Sequence, residues 1–217
     1  MMISPECYVE FELKDKGKDE ICRKIRDLKR ELADMKNKAE NNIDFVDVVV
    51  APSLDTRISV TRDYIEAAID YLNSRGYEYP LTNAEKNARV FEENIPYIES
   101  IYVEYCEYRG AHHERKISHV DDKIKVLEDF EFMLPVLKRS KKLYKGMSWS
   151  GLLEDLKTVH MGEWKSRCKW KDIVFADGSC WKIVIEYNNG TSPKRFSGDN
   201  KFPFSFKRFM EIMEIKV

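Results

Sequence analysis

Hydrophobic residues near the N-terminus follow two different periods. They alternate with charged residues over Tyr8–Leu13, which predicts a short strand. From residue 18 to residue 40 they recur every three or four positions, which predicts a long helix with a narrow apolar seam. The seam covers fewer than three heptads, which is fewer than a self-sufficient coiled coil needs. This favours a helix that packs on its own domain, and pairing with a second copy of the chain is the alternative. The seam residues are Ile21, Ile25, Leu28, Leu32, Met35 and Ala39.

The next segment predicts a second strand followed by a second helix. Phe45–Val50 is apolar and rich in β-branched residues, which is typical of a strand, and Ile58–Val60 predicts another short extended piece. Thr61 then serves as the predicted N-cap of a helix. Gly76 lies just past the expected end of that helix, where a residue with positive φ is common.

A capping box marks one more helix before the pattern changes. Thr82 and Glu85 have the spacing with which each side chain satisfies a backbone amide of the other residue, and the helix they start ends before Pro96. We therefore predict two parts. Residues 1–95 form an N-terminal strand–helix–strand–helix unit, and residues 96–217 form a second domain.

The second domain reads as an antiparallel sheet with packed helices. Strict alternation of apolar and polar residues, punctuated by turn signals such as Asp177-Gly178 and Asn188-Asn189-Gly190, predicts short strands joined as hairpins. One helix is capped by Ser148 or Ser150, and an amphipathic helix ends the chain. The fold class is therefore α+β. The predicted strands cover residues 101–106, 115–120, 123–127, 173–175, 181–187 and 194–196.

Composition excludes several classes of protein. Of 217 residues, 43% are apolar and 12% aromatic, too much to leave in water, which excludes a disordered chain. The net charge of −1 excludes a histone-like basic protein. No apolar run is long enough for a membrane helix, and residues 1–10 have neither the basic nor the apolar part of a signal peptide. Five scattered cysteines, none in a CxxC pair, fit reduced thiols, so we expect a cytoplasmic protein.

Three segments carry a resemblance to known sequences. They are APSLDTRISVTRDYIEAAIDYL, then AEKNARVFEENIPYIESIYVEY, then ADGSCWKIVIEYNNG followed by FSGDNKFPFSF. They resemble a family of uncharacterised bacterial proteins found in gut bacteria, often on mobile elements. The resemblance covers most of the chain from about Tyr8 and implies the same architecture, but it assigns no activity to any residue. Where family members often have a Gly-rich turn after the Tyr105 strand, this chain has Gly110-Ala111-His112-His113.

Motifs that carry well-known chemistry are missing from the sequence. There is no GxGxxG, GxxxxGK[ST], HExxH or GxSxG, which argues against dinucleotide-binding enzymes, P-loop NTPases, zincins and α/β-hydrolases. The richest polar segment runs from His112 to Asp122. On a strand, His112 and His113 face opposite sides, and His113 and His119 lie about 20 Å apart. One strand therefore cannot build a metal site without a partner strand or loop, and we expect neither a bound metal nor a cofactor.

Charge is distributed unevenly along the chain. Residues 138–171 contain ten Lys or Arg against three acidic residues, a local charge of +7, whereas residues 85–131 carry −5. Tyr144, Trp149, Trp164 and Trp170 are interleaved with the basic residues, as in surfaces that bind phosphates and unstacked bases. A solvated surface with packed tryptophans is the alternative. The predicted partner-binding residues are Lys138, Lys141, Lys142, Lys145, Lys165, Arg167 and Lys169.

These observations favour a binding protein over an enzyme. The leading hypothesis is a non-enzymatic cytosolic protein of a mobile element that binds a protein partner with an acidic surface, for example to inhibit a host defence complex. The alternative is a nucleic-acid-binding accessory protein that uses the basic and aromatic residues 138–171. A metal-dependent hydrolase is the third hypothesis, because Glu114 and Lys116 match half of a metal-dependent nuclease motif. Dimerisation through the 18–40 helix is a further expectation.

Overall fold

The chain divides into two units, Met1–Leu81 and Thr82–Val217. The computed structural model describes residues 3–41, 52–107, 111–120, 123–132, 140–143, 148–170 and 178–215, with the backbone alone at 111, 123, 128–132 and 140–143. The predicted strand at 45–50, the predicted strand at 173–175 and the turn residue Asp177 lie outside the described residues. In the described part, the first unit consists of three helices: α1 (Pro5–Glu12), α2 (Lys18–Asn41) and α3 (Leu54–Ser74).

The prediction of a strand at Tyr8–Leu13 is wrong, because this segment belongs to α1. The signal that decides the outcome lies just upstream: the Ser4 hydroxyl accepts a hydrogen bond from the Cys7 amide, and Pro5 occupies the first helical turn. Within the helix Tyr8 is buried and stacks on Tyr64 of α3, with ring centroids 4.5 Å apart. The N-terminal unit therefore begins with helices.

Helix α3 also begins earlier than the sequence pattern predicted. Ser53 caps it by accepting a hydrogen bond from the Thr56 amide at 3.2 Å, so the predicted extended piece at Ile58–Val60 and the predicted cap Thr61 both lie inside the helix. Ile58 and Thr61 are buried at helical spacing from Ile65, which is why the helix continues through them.

The apolar seam of α2 is buried within the chain. Ile21 and Ile25 are fully buried in a cluster with Leu13, Ala68 and Leu72, residues of α1 and α3 or their flanks. Leu32 and Met35 further along the seam are also buried. The seam of α2 therefore packs on other residues of the same chain. Dimerisation through this helix stays a prediction.

The second unit confirms the α+β class with a mostly antiparallel sheet. Among the described residues, seven strands form one sheet in the order β4-β3-β2-β1-β6-β7-β5, in which β5 runs parallel to β7 and every other pair is antiparallel. The strands are β1 (Ile98–Glu107), β2 (Ala111–Val120), β3 (Lys123–Phe132), β4 (Ser140–Leu143), β5 (Arg167–Lys169), β6 (Ser179–Tyr187) and β7 (Lys194–Asp199). The described helices of this unit are α4 (Asn83–Asn94), α5 (Trp149–Lys157) and α6 (Phe206–Ile212), with 3-10 turns at Ile95–Tyr97 and Met161–Glu163.

One face of the sheet carries the core. Alternate residues of β1 and β6, including Ile101, Val103, Ile183 and Ile185, are fully buried beneath α4, α5 and α6. The predicted capping box forms: the Thr82 hydroxyl accepts from the Glu85 amide, and the Glu85 carboxylate accepts from the Thr82 amide.

The division between the units falls one helix before the predicted boundary at residue 95. Helix α4 belongs to the second unit, because its Phe91 ring packs edge-on against Phe196 of β7 with centroids 6.1 Å apart. Burial of Phe91 in the core of the second unit is the reason that α4 belongs to this unit.

Candidate functional site: the polar face of the sheet

The face of the sheet opposite the core carries polar and ionisable residues. Tyr102, Glu104 and Cys106 alternate with core residues along β1 and are half-buried. Strand register places residues of β2 directly beside them, because Glu104 pairs with Glu114 and Cys106 pairs with His112. On the other side, β6 places Cys180 opposite Cys106 and Lys182 opposite Glu104.

Glu104, Cys106 and His112 form a compact group of three different donor types, which we call the Glu-Cys-His cluster. One carboxylate oxygen, the thiol sulfur and one imidazole nitrogen lie within 4.8 Å of one another. His112 Nε2 lies 3.7 Å from Glu104 Oε1 and 3.6 Å from Glu114 Oε1. The Nε2 atom is buried and has no hydrogen-bond partner among the described residues.

Hydrogen bonding and burial shape the electrostatics around this cluster. The Tyr102 hydroxyl donates to Glu104 Oε2 at 3.3 Å, which leaves Oε1 on the side of His112. Burial raises the pKa of the Tyr102 hydroxyl, and the nearby Glu104 and Glu114 carboxylates raise it further. Burial also raises the pKa of the Cys106 thiol to about 12, helped by the adjacent Cys180 thiol and then by the same carboxylates. Burial is the larger cause of both pKa shifts, and the two carboxylates add to it.

The other residues of the predicted His112–Asp122 segment do not join the cluster. His113 pairs with Tyr105 on the core face. It therefore lies on the opposite side of the strand from His112, as alternation predicted. The His119 ring stacks on Trp149 of α5, with centroids 5.3 Å apart and an interplanar angle of 11°. Asp121 and Asp122 lie outside the described residues. The donors that complete the site come instead from the neighbouring strand β1.

The sequence analysis did not predict this cluster, although two of the features that build it can be read from the sequence. Alternation had already placed Glu104 and Cys106 on one face of a strand, and the turn after residue 107 predicted a hairpin. The sequence does not show the register of that hairpin, and the register decides whether His112 or His113 lies beside Cys106.

The predicted partner-binding residues are divided between the two edges of the sheet. Lys141 and Lys142 lie on β4, where their backbones pair with Leu127 and Val126. Arg167 and Lys169 lie on β5, at the opposite end of the strand order. Six strand spacings separate the two edges, about 29 Å at 4.8 Å per strand. Lys138 and Lys145 lie outside the described residues, and Lys165 is exposed just before β5.

At the β5 edge the structure adds two cations that the sequence analysis did not select. Register places Arg167 beside Ser197 of β7, and Ser197 beside Lys182 of β6. Arg195 lies two positions before Ser197 on the same face. Arg167, Lys169, Lys182 and Arg195 are all exposed on three adjacent strands, and we call them the basic surface.

The described tryptophans of residues 138–171 already have structural roles. Trp164 is buried in the core, and its indole N–H donates to the Ser205 hydroxyl at 3.0 Å. The Trp170 indole N–H donates to the Asn200 carbonyl at 2.7 Å, and Lys201 lies over its ring. Trp149 is the residue stacked on His119. These rings pack and form hydrogen bonds within the fold. Packed tryptophans are the alternative that the sequence analysis had left open.

Comparisons with known proteins do not identify a family for this chain. No protein-family model, no curated protein and no solved structure matches the chain. None of the helices in the described part of the chain is long and apolar enough to cross a membrane.

Proposed function

We propose that the chain is a non-enzymatic, cytosolic binding protein that recognises a protein partner with an acidic surface. The observation that carries this proposal is the basic surface, in which four exposed cations from β5, β6 and β7 lie on one open face. The exposed Asp199 of β7 lies beside Lys169, so the face carries a net positive charge with one carboxylate among the cations. A net positive charge on a rigid sheet attracts an oppositely charged partner and fixes its orientation.

Two features favour a protein over a nucleic acid as the partner. The described tryptophans of residues 138–171 are held by packing and hydrogen bonds, so they do not supply free rings for base stacking. In addition, β1 lies next to β6, and its Glu104 with Glu114 of β2 places negative charge beside Lys182. A phosphate backbone that continued across the sheet would meet repulsion there, whereas a protein surface can match both signs.

The biological setting of the proposal comes from the resemblance to proteins of mobile elements. A small binding protein encoded on such an element acts by occluding its target. Inhibition of a host defence complex is one form of that action, and it requires affinity and surface complementarity without any catalytic group.

The test compares two charge-reversal variants in a pull-down from nuclease-treated lysate of the native host. The first variant changes Arg167, Lys169 and Arg195 to Glu, and the matched control changes Arg23, Arg26 and Arg30 of α2 to Glu. Both alter the net charge equally, and exposed charge changes usually cost less than about 0.5 kcal/mol each. We expect a protein captured by the wild-type chain to be retained by the control and lost with the basic-surface variant.

Two outcomes would contradict the proposal. Equal capture by both variants would mean that the basic surface only keeps the protein in solution. Failure of the wild-type chain to capture any protein from the nuclease-treated lysate, with direct binding to DNA or RNA that weakens steeply as salt rises, would favour the nucleic-acid alternative.

A further inference from the structure

The Glu-Cys-His cluster combines three metal-binding side chains from two strands in one place. We propose that Glu104, Cys106 and His112 form a zinc-binding site on the polar face of the sheet. The three donor atoms lie within 4.8 Å of one another without any change in the backbone. This site uses none of the residues of the basic surface, which carries the proposed function. It shares only Glu104 with the argument against a nucleic-acid partner.

The donor types select the metal. A thiolate sulfur, an imidazole nitrogen and a carboxylate oxygen are the three ligand types that proteins use for Zn²⁺. Mg²⁺ and Ca²⁺ prefer oxygen ligands alone, so the thiol and the imidazole argue against them. A zinc ion displaces the proton of the Cys106 thiol when it binds, and the resulting thiolate and the Glu104 carboxylate together match the charge of the ion.

The position of His112 Nε2 is the second observation that points to a ligand. This nitrogen is buried and has no hydrogen-bond partner among the described residues, which is costly for a polar atom. Its distance of 3.7 Å from Glu104 Oε1 is too long for a hydrogen bond. Two ligands of one tetrahedral zinc ion, each about 2.0–2.1 Å from it, lie about 3.3 Å apart, so a small adjustment brings both atoms onto the same ion.

Neighbouring residues support the ligands from outside. The hydrogen bond from the Tyr102 hydroxyl holds Glu104 Oε2 and orients Oε1 toward His112. Such outer contacts commonly fix the ligands of metal sites. Three protein ligands leave a fourth position for water or for a donor from a binding partner. The His112 and Glu104 side chains are 36% and 30% exposed, so the cluster lies at the surface of the sheet and not in its core.

The test uses cobalt as a spectroscopic probe, because Co²⁺ substitutes for Zn²⁺ and gives a near-ultraviolet charge-transfer band when a thiolate binds it. The full-length, reduced protein is titrated with Co²⁺ and then with Zn²⁺. We expect one equivalent of Co²⁺ to produce the band and Zn²⁺ to abolish it. Cys106→Ser should remove the band, and His112→Gln and Glu104→Gln should each weaken binding at least about tenfold.

Matched controls separate a ligand role from a general change in structure. Cys180→Ser removes the thiol opposite Cys106, and His113→Gln removes the neighbouring imidazole on the core face. Both should keep the band and the affinity, and circular dichroism should show that every variant is folded. Absence of the band in the wild-type protein, an undiminished band in Cys106→Ser, or unchanged affinity in His112→Gln would overturn the proposal.

Discussion

Gly198→Ala is the substitution for which the structure predicts the clearest effect on stability. Gly198 lies in β7 directly opposite Trp181 of β6. A Cβ atom at this position would lie 2.2 Å from Trp181 Nε1 and 2.6 Å from the Lys201 carbonyl oxygen. These two atoms are hydrogen-bonded to each other at 2.9 Å. The methyl group would therefore collide with both partners of one hydrogen bond.

The size of the effect follows from three contributions. Overpacking a core costs about 1–3 kcal/mol. A buried indole N–H that loses its acceptor costs about 1–3 kcal/mol more, since Trp181 is only 2% exposed. Replacing Gly by Ala recovers about 0.4–1 kcal/mol by restricting the unfolded chain. We expect a net loss of about 1–6 kcal/mol, with a midpoint of about 3 kcal/mol, a large part of the stability of a typical domain.

Urea unfolding followed by tryptophan fluorescence measures this loss. The chain has four tryptophans, Trp149, Trp164, Trp170 and Trp181, and all of them belong to the second unit, so the signal reports that unit alone. Ser197→Ala is the control, because it lies on the same strand but faces away from the core; it should change the unfolding free energy by less than about 0.5 kcal/mol.

A double-mutant cycle tests the cause of the loss. Trp181→Phe replaces the indole with a smaller ring that lacks the N–H group. Gly198→Ala should therefore cost at least about 1 kcal/mol less in that background, measured by circular dichroism because a tryptophan is missing. A cost below about 0.5 kcal/mol in the wild-type background, or an equal cost in both backgrounds, would refute the reasoning.

Three further predictions concern other parts of the second unit. Thr82→Ala removes the cap of α4 and should lower the unfolding free energy by about 1 kcal/mol in the same urea assay, whereas an unchanged midpoint would mean that the cap contributes nothing. Hydrogen bonds from Ser100 and Lys116 lower the pKa of the Glu186 carboxyl, so its contribution to stability is present above the unfolded-state pKa and is lost as the pH falls through the folded-state pKa. Glu186→Gln should accordingly destabilise the protein at pH 7, with a difference from wild type that disappears in acid; a difference independent of pH would contradict this. Cys106 and Cys180 are directly opposite on antiparallel strands, a separation within the range of a disulfide, so diamide should oxidise the two thiols to a disulfide and be reduced to the hydrazine. Peptide mapping that finds both thiols still free after this treatment would exclude the bond.

Local patterns in the sequence were sufficient for most of the second unit. Alternation predicted β1, β2, β3, β6 and β7, because a strand with one buried face needs a period of two whatever its neighbours are. The capping box predicted the start of α4 from two side chains alone. In the first unit, periodicity predicted α2 but misjudged Tyr8–Leu13, where the Ser4 cap and Pro5 outweigh a short alternating run.

Tertiary structure decided which residues meet. Lys141 and Arg167 are near each other in a basic stretch of the sequence, yet strand order places them at opposite edges of the sheet. His112 and Cys106 are separated by a turn, and only the hairpin register brings them side by side. Periodicity describes which face a residue occupies, but strand order and register depend on how all the buried side chains pack together. The sequence therefore determined the elements and their faces, and the packed sheet determined the basic surface and the Glu-Cys-His cluster.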